Sequence, residues 1–160
     1  MAVPNLEIVR PGIKDLIRKD FAAADALIDP NATTPLFDGE WVQIDANYNV
    51  VRYNAGATYV DGAAQNAGEV ISYPIWAERG RYDVQALRKI PVLFGNTCEL
   101  DELIFDATSL YPGAPLEVAD MTYGGGTRRG VRLATGTHFV VGLVTRLFGT
   151  DKVRFLRNCC

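Results

Sequence analysis

The sequence predicts a mainly β protein: a small β-barrel or sandwich of about eight to ten short strands, with an N-terminal arm and one candidate helix. Three observations carry this reading. Apolar residues fall in short alternating or continuous runs, bounded by Gly, Pro, Asn and Asp. The helical period surfaces in a single stretch, residues 13–28. No segment recurs at a fixed spacing, which excludes solenoids and propellers.

Taken in order, Asn5–Arg10 reads as an extended arm stopped by Pro11-Gly12. Ile13, Leu16, Ile17, Phe21, Ala24, Leu27 and Ile28 then recur near the helical period, while Leu16–Phe21 also alternates as a strand would. A helix over about residues 13–28 is the preferred reading. Asp29–Pro35 breaks the chain. Residues 1–35 are thus expected to form an arm with the candidate helix, 36–157 a barrel-like domain and 158–160 a tail.

Within the domain, Leu36-Phe37 and Glu40–Ile44 read as a strand, Asp45–Asn49 as a turn and Val50–Tyr53 as the returning strand. Residues 54–69, rich in Gly, Ala, Asn and Gln, suggest a long loop. Ser72–Trp76 is extended, and Pro74 suits a sheet edge. Glu78–Asp83 is a charged connection. Val84–Leu87 and Ile90–Phe94 read as strands, and Cys98–Ile104 alternates loosely. Tyr111–Pro115 is a turn, Leu116–Val118 a strand, Thr122–Gly126 a flexible link and Gly130–Leu133 a strand. Phe139–Arg146 and Val153–Arg157 close the chain around a turn at Gly149–Lys152.

The chain has 160 residues, 48% hydrophobic and 22% charged, with a net charge of −3. That balance offers no basic field to hold nucleic-acid phosphates. No apolar run reaches the length of a membrane span. The N-terminus lacks the basic start and apolar stretch of a secretion signal, so synthesis in the cytoplasm is expected.

Several residue groups invite a chemical reading, and each is better explained structurally. His138 is the sole histidine. Any triad would need it, a His-rich zinc site is excluded, and its place at a strand start suits a surface or capping role. Gly124–Gly130 lacks the Gly-Lys-Ser/Thr and following helix of a phosphate loop. It reads as a flexible hairpin or inter-subunit loop, whose Arg128 and Arg129 could meet a neighbouring acidic surface. Glu99, Asp101, Glu102 and Asp106 match no calcium-loop spacing, and alternation puts Glu99 and Asp101 on one solvated strand face. Trp41, Tyr73, Trp76 and Tyr82, interleaved with Arg79 and Arg81, could stack on single-stranded nucleic acid. The acidic balance opposes that, and core packing or a protein interface accounts for them. No catalytic residue, cofactor or metal site is predicted.

The three cysteines do not form an internal disulfide framework. Cys98 reads as a buried free thiol. Cys159 and Cys160 read either as two exposed thiols or as partners in an intermolecular disulfide formed after assembly; two thiols without a nearby histidine are too few for a metal.

Six stretches carry a resemblance: Gly39–Asp45 (GEWVQID), Tyr73–Gln85 (YPIWAERGRYDVQ), Lys89–Phe94 (KIPVLF), Gly113–Val118 (GAPLEV), Val141–Thr145 (VGLVT) and Val153–Arg157 (VRFLR). In strand order and turn residues the chain resembles capsid decoration, or cement, proteins of tailed bacteriophages. The cysteine pair at 159–160 and the alanine-rich stretch near residue 22 depart from that pattern. The resemblance implies a non-enzymatic virion protein on the capsid surface. It would act as a homo-oligomer, bridging major capsid protein subunits, with no direct nucleic-acid or membrane contact. Tyr73, Trp76, Arg79, Arg81, Tyr82, Arg128 and Arg129 are its expected subunit contacts. Two rivals stand beside it. One is a tail-tube or head–tail connector subunit. The other is a small β-barrel enzyme or ligand-binding module using the acidic 99–106 segment.

Overall fold

The computed structural model describes residues 6–10, 17–29, 32–33, 35–37, 39–45, 47–53, 71–72, 89–94, 99–136 and 140–157. The predicted loop 54–69, the contact residues Tyr73, Trp76, Arg79, Arg81 and Tyr82, the strand 84–87, Cys98, His138, Cys159 and Cys160 lie outside them.

The described residues are mainly β, as the alternation predicts. They form eleven strands: β1 (Leu6–Arg10), β2 (Ile17–Ala23), β3 (Trp41–Ile44), β4 (Asn49–Arg52), β5 (Ile71–Ser72), β6 (Lys89–Phe94), β7 (Glu99–Glu102), β8 (Pro115–Tyr123), β9 (Gly126–Leu133), β10 (Gly142–Phe148) and β11 (Lys152–Arg157). One helical turn, α1 (Asp25–Ile28), follows β2. The first sheet runs β1-β7-β11-β10-β8-β9 and the second β5-β3-β4-β2-β6. Every pairing is antiparallel except β2 with β4.

Two expectations for the N-terminal region are corrected. The arm is a sheet strand: β1 pairs with β7 from Leu6↔Glu102 to Arg10↔Glu99. The helix over 13–28 is replaced by β2 and the single turn of α1. β2 pairs with β6 from Ile17↔Phe94 to Ala22↔Lys89 and also lies beside β4. An isolated helix of that length is marginal in water, whereas a strand between two neighbours satisfies its backbone on both edges. Pro91 is tolerated in β6 because β6 is an outer strand of its sheet.

Local turn chemistry fixes the hairpins. Between β3 and β4, Asp45 Oδ1 accepts hydrogen bonds from the amides of Asn47 (2.9 Å) and Asn49 (2.8 Å). Between β8 and β9, Gly124 and Gly125 take φ of 57° and 78°. Two successive positive φ values make a primed hairpin turn, whose twist matches the flanking strands. The stretch read as a flexible link is therefore a tight hairpin.

The first sheet closes on itself. Just past β7, Phe105 bridges Val131 of β9 in parallel. The Asp106 amide donates to Val131 O (2.9 Å) and the Val131 amide to Ile104 O (3.0 Å). Gly130 permits this approach: a Cβ there would lie 2.6 Å from Ile104 Cγ2 and 2.8 Å from its carbonyl carbon. The core lies between the sheets. Trp41, Val42 and Val50 of the second meet Leu100, Leu116, Val118, Val144 and Phe155 of the first, all buried. The rings of Trp41 and Phe155 are 6.2 Å apart.

Gly130→Ala forces backbone or Ile104 to shift and is expected to lower stability by about 1–3 kcal/mol. Urea unfolding checks this, and an unchanged midpoint would show that closure needs no glycine here.

Candidate functional site

Glu40, directly before β3, is fully buried. Its Oε2 accepts from the Phe37 amide (2.9 Å), and its Oε1 accepts from Arg52 Nε (3.0 Å) and the Arg129 amide (3.3 Å). Arg52 Nη2 donates to Pro35 O (3.0 Å) and Arg129 Nε to Tyr53 O (2.7 Å). One carboxylate thus joins β3, β4 and the strand β9 of the other sheet. A buried charge needs such partners to offset its lost hydration.

The acidic segment of β7 is not a solvated face, which corrects the expectation for Asp101 and Glu102. Asp101 does point outward with Glu99, yet it is only 2% exposed. Lys152 and Arg154 cover it. Its Oδ1 accepts from Arg154 Nε (2.7 Å), and its Oδ2 accepts from Lys152 Nζ (2.7 Å) and Arg154 Nη2 (3.0 Å). Burial pushes the Asp101 carboxyl up, but the hydrogen bonds and charges of Arg154 and Lys152 outweigh it. The group ionises below its ordinary 3.8. Glu102 points inward and is fully buried, with Oε1 accepting from the Ile104 amide (3.1 Å).

On β8, Glu117 is also fully buried and accepts from Arg132 Nε (2.8 Å) and from the Thr135 amide (2.9 Å). Burial, with the Glu117 charge nearby, raises the Tyr53 phenol above its ordinary value. Of the expected contact residues, two are described, and both are engaged within the chain. Arg128 is buried over the Phe37 ring at 3.9 Å. Arg129 pairs with Asp120 and binds Tyr53 O.

The exposed feature of the first sheet is the outer face of β10 and β11. Leu143 and Leu156 are direct cross-strand partners, 41% and 39% exposed. A bulge at Thr145 shifts the register between Val144 and Arg146. The extra residue reverses which side chains face out. Leu147 turns to the core, while Arg146 and Phe148 join Lys152 and Arg154 outside. The cations of Arg146, Lys152 and Arg154 lie 4.7, 4.7 and 5.2 Å from the Phe148 ring centre.

A cleft of about 560 Å³ lies between Phe105–Thr108, Asp120–Thr122 of β8 and Arg132 of β9.

Protein-family models, curated proteins and solved structures give no match to this chain.

The described geometry therefore carries the chemical reading alone. Among the described residues no three His, Cys, Asp or Glu side chains gather where a metal could bind. Among the described residues no helix is long and apolar enough to cross a membrane. Glu40, Asp101 and Glu117 each serve a cationic side chain of the same chain. In the 99–106 group, Glu99 is half-buried and accepts from the Thr145 hydroxyl (2.8 Å), and Asp106 is exposed. Hydrogen bonds from Thr108 hold its carboxyl below the ordinary 3.8, and burial opposes them weakly.

Because the folded state depresses the Asp101 pKa, its contribution is present above pH 3.8 and is lost as pH falls through the folded value. Asp101→Asn is expected to cost about 1–3 kcal/mol at neutral pH and to flatten the acid limb. Chemical denaturation across pH 2–7 checks both. An acid limb as steep as that of the unmutated chain would contradict the assignment.

Proposed function

We propose that the chain is a non-enzymatic virion structural protein. It decorates and stabilises a tailed-phage capsid by bridging major capsid protein subunits, working as a homo-oligomer at the capsid surface. The observation that carries this reading is the outer face of β10 and β11. It presents an exposed apolar pair, Leu143 and Leu156, at one end of the hairpin and Phe148 with three cationic side chains towards the other. Aromatic, arginine and apolar side chains at the centre of a surface patch are the usual anchors of protein contacts.

Two further features support it. The buried carboxylates brace the fold, and a rigid body is what a cementing subunit needs. Weak contacts repeated over a symmetric lattice add up, so a modest face is enough for each subunit. The resemblance in strand order to decoration proteins points the same way. The bracing of Asp101 and Glu102 also counts against an active site built on the acidic segment.

Adding the purified chain to phage heads that lack it tests the proposal. Saturable co-sedimentation is expected, weakened at least tenfold by the double substitution Leu143→Asp, Leu156→Asp. Stacked hexameric rings on overexpression, without head binding, would instead favour the tail-tube reading.

A further inference from the structure

The cleft beside the closing segment has the size of a small-molecule site, which typically spans about 300–1,000 Å³. Its polar groups are two carboxylates, Asp106 and Asp120, one guanidinium, Arg132, and the hydroxyls of Thr108, Thr122 and Thr150. Phe105 and Met121 add apolar surface. What these groups already bind decides which ligand suits them.

Arg132 gives Nε and Nη2 to Glu117, each at 2.8 Å, and keeps its remaining edge. Asp106 accepts from the Thr108 amide at Oδ1 (2.9 Å) and from the Thr108 side chain, and it remains exposed to solvent. Asp120 pairs with Arg129 but remains more than half exposed. Among the described residues nothing takes the hydroxyls of Thr122 and Thr150.

The charges narrow the choice. Asp106, Asp120 and Glu117 carry three negative charges against the two positive charges of Arg129 and Arg132. The surplus is negative, so a phosphate or carboxylate ligand would be repelled. A calcium ion takes about six to eight oxygens, and both open carboxylates already serve donors of the chain. A neutral ligand with neighbouring hydroxyls meets neither obstacle. Each hydroxyl can donate to a carboxylate and accept from a guanidinium or threonine. Its C–H face can lie on Phe105 and Met121.

We propose that this cleft binds a neutral, polyhydroxylated ligand of the carbohydrate class, held between the Asp106 carboxylate and the Arg132 guanidinium. The site lies towards the turn end of the β10–β11 hairpin, which contributes Thr150, while Leu143 and Leu156 pair at the other end. Phe148 and Lys152 of the outer face flank that turn, but the cleft uses none of the side chains assigned to capsid docking, so either proposal can fail alone.

The test is amide NMR of the full ¹⁵N-labelled chain. It is titrated separately with glucose, galactose, mannose, rhamnose and N-acetylglucosamine, and in parallel with calcium chloride and inorganic phosphate. At least one sugar is expected to shift the amides of Asp106, Thr108, Thr122 and Thr150 saturably. Asp106→Asn should weaken that sugar about tenfold or more. Thr122→Val should weaken it too; this second variant removes a hydroxyl that holds nothing in the fold and favours a strand. The proposal is overturned if no sugar shifts these amides, if only calcium or phosphate does, or if both variants bind the sugar as tightly as the unmutated chain.

Discussion

The buried carboxylate of Glu40 sits where the two sheets meet, and much else depends on it. It neutralises Arg52, holds the Phe37 amide and receives the Arg129 amide from the opposite sheet. Beside it Trp41 packs on Phe155, and Arg157 lies over the Trp41 ring at 5.6 Å. Apolar packing is non-directional and would allow the sheets to slide. A fully buried charge with fixed partners does not, because every displacement leaves it unpaired. The seam is thus set by a polar contact and strengthened by an apolar one. Desolvation offsets much of what the ion pair contributes to stability, so its main effect is to select one arrangement.

The first sheet is shaped by two small departures from regularity. Gly130 lets Ile104 come against β9, and the sheet closes. The bulge at Thr145 reverses the phase of β10. Closure leaves the cleft beside residues 105–108, and the bulge creates the outer face with Arg146 and Phe148. Both surfaces assigned a role therefore arise at irregular positions on a rigid frame, where side chains are re-aimed without loosening the sheet.

Much of the strand pattern was legible in the sequence. Alternation marks Val153 and Phe155 as inward residues, and the same alternation would have found the buried Arg157. Asp45, Asn47 and Asn49 announce their turn, and Gly124-Gly125 announces a hairpin. What was hidden depends on partners far along the chain. Nothing local reveals that β6 will pair with residues 17–22, so the helical spacing there was misleading. Alternation placed Asp101 outward correctly, yet its burial comes from Lys152 and Arg154, some fifty positions later. The bulge left a faint trace: Val144 and Leu147 lie three residues apart where a plain strand would repeat every second.

Native-state hydrogen exchange on the unmutated chain and on Glu40→Gln tests the seam most directly. In the unmutated chain, the amides of Val42 and Val50 in the second sheet should open with the same free energy as those of Val131 and Phe155 in the first. In Glu40→Gln, the second-sheet amides should open more easily while those of the first sheet keep their protection. Equal loss in both sheets, or none in either, would contradict the role assigned to Glu40.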